Sequence, residues 1–104
     1  MSATQVATRV LTAPAELGLD TRVEFRRAGV ALLEQLPEGT GELVLDLSGT
    51  VRVDSAGLGA LMLIQRRASE RRQVVTIRGA NDEVRFLLVL TKLDDLFQLT
   101  STGA

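Results

Sequence analysis

The run Leu43-Val44-Leu45-Asp46-Leu47 constrains the fold more than any other part of the chain. It is short, nearly unbroken in apolar character and preceded by the Glu38-Gly39-Thr40-Gly41 turn, which fits a strand buried on both faces better than one with a wet side. Such a strand belongs at the centre of a sheet that helices cover. Gln5 to Leu11 alternates loosely and is rich in Val and Thr, so a first strand is predicted there, ended by Pro14. The stretch from Pro14 to Asp20 leaves room for only that one clear strand before a helix. Thr21, with Glu24 three residues later, has the spacing of a capping box, and the helix it opens runs to about Leu36, where Pro37 stops it. A second helix follows the central strand and ends near Arg72. Val74 to Arg78 is a further β-branched strand bounded by Gly79. Asn81 caps a third helix through roughly Lys92, with Asp82 and Glu83 in its first turn where the helix dipole favours them. Leu96 to Leu99 supplies a short edge strand. The alternation predicts parallel crossovers in an α/β sandwich: a small mixed sheet of four to five strands with three or so helices packed on it, in one domain spanning 1–104.

What the chain lacks removes most chemistries. Among its 104 residues there is no cysteine and no histidine. Disulfides, thiol chemistry, zinc sites of the usual kind and any Ser-His or Cys-His dyad are therefore excluded. No P-loop and no paired-carboxylate pocket is legible, so no enzyme, cofactor or metal is expected. The net charge of -1 is spread without a basic block, which gives no footprint for nucleic acid. No window approaches the roughly 18 apolar residues that cross a bilayer, and no apolar signal core follows the N-terminus. A soluble, cytoplasmic protein without direct membrane insertion is expected.

Between the central strand and the second helix lies Val51-Arg52-Val53-Asp54-Ser55-Ala56-Gly57-Leu58-Gly59-Ala60-Leu61. Ligands on α/β folds usually sit where the C-terminal end of a strand meets the next helix, and here that point is the loop from Ser48 to Ser55. By their chemistry alone, Asp54 and Ser55 read first as capping residues. A phosphate on Ser55 would be tolerated, because a helix N-terminus offers unpaired N–H groups and partial positive charge. Gly57 and Gly59 each cost a helix about 1 kcal/mol relative to alanine. They serve either close helix-to-sheet contact or the approach of another backbone to the serine.

The segment LVLDLSGTVRVDSAGLGAL closely resembles the core motif of STAS domains, the family shared by anti-sigma factor antagonists and domains attached to sulfate transporters. VVTIRGANDEVRFLLVLTKLDDLFQL resembles that family's next strand, third helix and final turn, so the likeness spans about Leu43 to Leu99. In the antagonist branch the serine of the Asp-Ser pair is phosphorylated by a partner kinase that is itself the anti-sigma factor. The resemblance places that role on Ser55 and leaves Asp54 structural. It implies a non-enzymatic module that binds an anti-sigma factor kinase when unmodified and releases it when phosphorylated. A second branch docks on the ATPase of lipid-transport ABC systems, which makes such an accessory subunit the alternative. Other relatives sit in chemotaxis or stress-signalling assemblies.

Leu61, Ile64 and Ala68 form one inward stripe at helical spacing. Leu58 and Met62 lie well around the helix from it, at the same end as Ser55. They are expected to be partly exposed and to form, with Asp54, Ser55, Ala56, Gly57 and Gly59, a partner-binding patch. The competing reading places them in a thicker core contact. On the third helix, Phe86, Leu90 and Leu93 lie on a different face from Val84, Leu87 and Leu88, and in so small a domain both stripes read as core. Were Phe86 exposed, that helix would be a homodimer or docking surface. Arg66, Arg67, Glu70, Arg71 and Arg72 read as the solvated half of the second helix.

Overall fold

The structure, a computed structural model, describes residues 7–100. Strand β1 (Thr8–Thr12) leads into a two-residue strand β2 (Glu16–Leu17) and helix α1 (Arg22–Gln35). Strands β3 (Glu42–Asp46) and β4 (Arg52–Val53) precede helix α2 (Ser55–Glu70). Strand β5 (Val74–Arg78), helix α3 (Asp82–Leu90), a 3₁₀ turn (Leu93–Asp95) and strand β6 (Gln98–Thr100) complete the order. The expected α/β sandwich is present. Residues 5 and 6 of the expected first strand lie outside the described residues.

The main sheet has the order β1-β3-β5-β6, so each crossover adds its strand beside the last, and β3 and β5 are interior. All pairings among the described residues are parallel, where a mixed sheet was expected. Leu43 and Leu45 of β3 and Val75 and Ile77 of β5 enter one core with Phe25 and Leu33 of α1, Leu61, Ile64 and Ala68 of α2, and Val84 and Leu88 of α3. The helices thus cover a single face of the sheet. Alternate residues point the other way. There Glu42 accepts hydrogen bonds from the hydroxyls of Thr8 at 3.3 Å and Thr76 at 2.7 Å, and Arg78 pairs with Asp46 at 3.1 Å. The expectation that the central strand is buried on both faces therefore holds for Val44 but fails for its polar neighbours on that side.

Two local readings change. Thr21 does not form the capping box, because its backbone is helical and its side chain makes no cap hydrogen bond. Its hydroxyl instead donates to the Glu16 carbonyl at 2.8 Å and accepts from the Gly18 N–H at 3.0 Å, closing the turn ahead of α1. The second change is β2 itself, a strand where none was expected. It pairs with β4, Glu16 beside Arg52 and Leu17 beside Val53, and makes a separate two-stranded ribbon. Two residues carry too little pattern to be legible as a strand.

The other end of α1 is held by Gln73, which is buried and whose side-chain amide donates to the carbonyls of Leu33, Leu36 and Pro37 at 2.9, 3.0 and 3.2 Å. Of these, the Leu33 carbonyl lies in the last turn of α1, and those of Leu36 and Pro37 follow it, where the helical ladder has ended. A side chain just before β5 thus completes a helix that ends far earlier in the chain.

Candidate functional site

The β2–β4 ribbon builds the platform for α2. The Asp54 N–H donates to the Leu17 carbonyl at 3.2 Å, so the chain leaves β4 tied to β2. Asp54 is extended, and its Oδ1 accepts from the Gly57 N–H at 2.9 Å, which makes it the N-cap. Its Oδ2 accepts from the Leu19 N–H at 3.3 Å. One carboxylate therefore caps α2 and fastens the loop between β2 and α1 to it. The Gly57 N–H foremost holds the Asp54 carboxyl below its ordinary value of 3.8; desolvation opposes it, and the N–H groups of Leu19 and Ala56 and the Arg22 guanidinium add lesser lowering effects. Behind the site, Thr50 donates to the Pro14 carbonyl at 2.8 Å, and the Asn81 amide reaches the Thr50 carbonyl at 3.3 Å. Asn81 also caps α3 as expected, accepting from the Val84 N–H at 2.8 Å.

Ser55 is the first residue of α2 and is exposed. Among the described residues its hydroxyl makes no hydrogen bond, since capping is already done by Asp54. Gly59 and Met62 lie one and two turns further along the same outward side of α2. Gly59 is exposed, and Met62 keeps 40% of its surface in water. Ala56 is half-buried, and half-buried Leu58 rests against the core at the edge of this surface. Gly57 does not belong to the surface. It is buried against β2, and a Cβ there would overlap the Leu17 carbonyl oxygen, whereas one at Gly59 would meet nothing within 4 Å. The two glycines thus divide the two readings of their pair: Gly57 serves packing, and Gly59 leaves the face beside Ser55 open.

The third helix departs from the two-stripe core reading. Val84 and Leu88 are buried, but Phe86 is 66% exposed and Leu90 equally so. Leu93 is buried by a different route. The helix ends at Leu90, and Lys92 at φ 62° turns the chain so that Leu93 re-enters the core from the 3₁₀ turn. A short helix covers the sheet with one stripe, and its other face is left outside. That face borders a hollow of about 220 Å³ shared with Val51 of the loop before β4. The basic run of α2 is solvated as expected at Arg66, Arg67, Glu70 and Arg72, while half-buried Arg71 pairs with Glu38 at 3.3 Å.

Sequence reasoning missed one component of the site. A hollow of about 250 Å³ on the α1 side of α2 is lined by Ser55, Gly59 and Leu63 together with Arg22 and Arg26. Roughly thirty positions of chain separate the arginines from the serine, and no local pattern signals that they meet. Among the described residues, no group of three or more Asp or Glu side chains is placed to hold a metal ion.

The family model described as "Mlab, STAS domain" matches residues 2–100. This chain belongs to the STAS domain family. Its fold is that of other STAS proteins of known structure. An anti-sigma-factor antagonist (STAS) domain protein from Planctomyces limnophilus superposes with a TM-score of 0.78 at 18% identity, over 90% of this chain and 82% of that one. The STAS domain of a SulP transporter from Vibrio cholerae gives 0.73 at 19% identity, over 98% and 78%. The anti-sigma factor antagonist SpoIIAA in its unphosphorylated form gives 0.68 at 13% identity, over 99% and 86%. In this STAS chain the Asp-Ser pair therefore stands at the start of α2, between the β2–β4 ribbon and the open outer face of the helix. No helix among the described residues is long and apolar enough to cross a membrane.

Proposed function

We propose that this chain is a non-enzymatic, protein-binding regulatory module of the anti-sigma factor antagonist kind, switched by phosphorylation of Ser55 by a partner anti-sigma factor kinase. One observation carries the reading: Asp54 does the capping, which leaves the exposed Ser55 hydroxyl without a structural task. A hydroxyl that is conformationally fixed by its helix, accessible and unpartnered suits a kinase substrate. Ser55, Ala56, Leu58, Gly59 and Met62 form the docking surface, and Asp54 and Gly57 hold it in place. The switch acts on the partner. An added charge of about -1.5 to -2 at a helix start does not require the helix to melt.

The decisive experiment is incubation of the protein with the cognate kinase and ATP, followed by intact mass measurement of wild type and Ser55→Ala. Wild type gains one phosphate and the variant gains none; a wild type that stays unmodified with its true partner present ends the switch reading. Met62→Asp should abolish partner binding while leaving the thermal midpoint nearly unchanged.

The family model that matches residues 2–100, described as "Mlab, STAS domain", favours a second reading. There the chain is an accessory subunit docked on the ATPase of a lipid-transport ABC system, and Ser55 is a contact that is never modified. Co-purification with a transport ATPase that depends on Met62 but not on ATP would select it. In either case the exposed face of α3 around Phe86 is where a homodimer would form, and sedimentation of wild type and Phe86→Gln across a concentration series tests that.

A further inference from the structure

The hollow between α1 and α2 gives the proposed phosphoserine a place to go. Arg22 is the first residue of α1 and Arg26 stands one turn later, so both side chains project from the same side of that helix. They line the hollow of about 250 Å³ that Ser55 and Gly59 line from α2. Neither arginine lies within salt-bridge distance of a carboxylate among the described residues, whose ion pairs are Arg71 with Glu38 and Arg78 with Asp46. The small residues Ser55, Ala56, Gly59 and Ala60 form the α2 wall, and the absence of a side chain at Gly59 keeps the space beside Ser55 free. The helix end cannot provide the countercharge alone, because the Gly57 N–H already serves the Asp54 carboxylate. That carboxylate would also repel a phosphate attached to the next residue, so a stable phosphoserine needs cations from outside α2.

We infer that Arg22 and Arg26 form an intramolecular clamp that draws the phosphoryl group of phospho-Ser55 into the α1–α2 hollow. The inference rests on the reading of Ser55 as a phosphate acceptor. In the modification the Ser55 Oγ–P bond forms as the bond from the γ-phosphorus of ATP to its bridging oxygen breaks. ADP leaves, and the hydroxyl proton is released. The dianion then meets two guanidinium groups, whose planar donors suit phosphate oxygens. The clamp accounts for how one modification could change the docking surface without unfolding it. The charge is pulled to the α1 side, the hollow is filled, and the two arginines are withdrawn from any acidic group of a partner.

The test uses the full chain with phosphoserine installed at position 55 during translation, so no kinase enters it. Titration followed by the ³¹P chemical shift should place the second phosphate ionisation of the folded wild type lower than that of Arg22→Gln/Arg26→Gln by roughly half a pH unit or more, because nearby cations favour the dianion. Arg27→Gln, which removes an exposed charge from the same helix outside the hollow, should leave the midpoint where it is in wild type. The single variants Arg22→Gln and Arg26→Gln should each give a midpoint between those of the wild type and the double variant. Equal midpoints in the wild type and the double variant, or an equal shift from Arg27→Gln, would overturn the clamp. A kinase that fails to modify Ser55 would sink the switch and leave this titration readable, whereas an unshifted titration would sink the clamp and leave the switch.

Discussion

At the scale of single residues, the two glycines of α2 make opposite demands. Gly57 faces the Leu17 carbonyl with no room for a methyl group, and Gly59 faces open space. Gly57→Ala should lower unfolding stability by roughly 1–3 kcal/mol through overpacking. Gly59→Ala should raise it by about 0.5–1 kcal/mol, the ordinary gain of alanine over glycine within a helix. Urea denaturation of the two variants measures both. Asp54 makes a prediction in pH. Its carboxyl is held below 3.8 in the folded chain, chiefly by the Gly57 N–H. A depressed pKa stabilises the fold above the unfolded value, and the contribution is lost as pH falls through the folded one. Asp54→Asn should therefore be less stable than wild type near neutral pH, and the two urea midpoints should converge as pH falls below about 4. Capping by Asp54 was legible from residue type and place. The roles of the glycines were not, since spacing along a helix says which side a residue is on but not what faces it across space.

At the scale of elements, α3 shows where helical periodicity stops being informative. Its inward stripe was readable from the sequence, and Val84 and Leu88 are buried. Phe86 and Leu90 repeat at the same period, yet nothing in the described structure packs over them. Phe86→Gln should consequently leave the thermal midpoint within a few degrees of wild type, as exposed substitutions do. Val84→Ala should cost about 1–3 kcal/mol from lost burial and the cavity left behind. Calorimetry of the pair distinguishes an outer face from a second core layer. The loss of the Thr21 capping box has a similar origin. The threonine, which had the right spacing, was engaged by Glu16 and Gly18, groups preceding the helix, and so was unavailable to its first turn.

At the scale of the molecule, the fold separates the proposed switch residue from the core. The core lies between the helices and one face of a parallel sheet, while Ser55 stands at the outer start of α2 on a platform held by β2 and β4. Phosphoserine at position 55 should leave the far-ultraviolet circular dichroism unchanged and the thermal midpoint within about 3 °C of the unmodified protein. A large drop would mean that the charge is felt by the core. The parallel order β1-β3-β5-β6 requires the crossovers to lie on one side, so the three helices are collected on a single face.

The order of the main strands and helices, the inward stripe of α2 and the Asp-Ser pair at its start follow from the sequence itself, because apolar periodicity, turn residues and caps act between near neighbours. Tertiary structure alone decided the β2–β4 ribbon, the burial of Gly57 under Leu17, the capture of the carbonyls at the end of α1 by Gln73 and the arrival of Arg22 and Arg26 beside Ser55. Each of these joins residues that are distant in the chain, with a geometry set by how the helices seat on the sheet, and no local pattern records it.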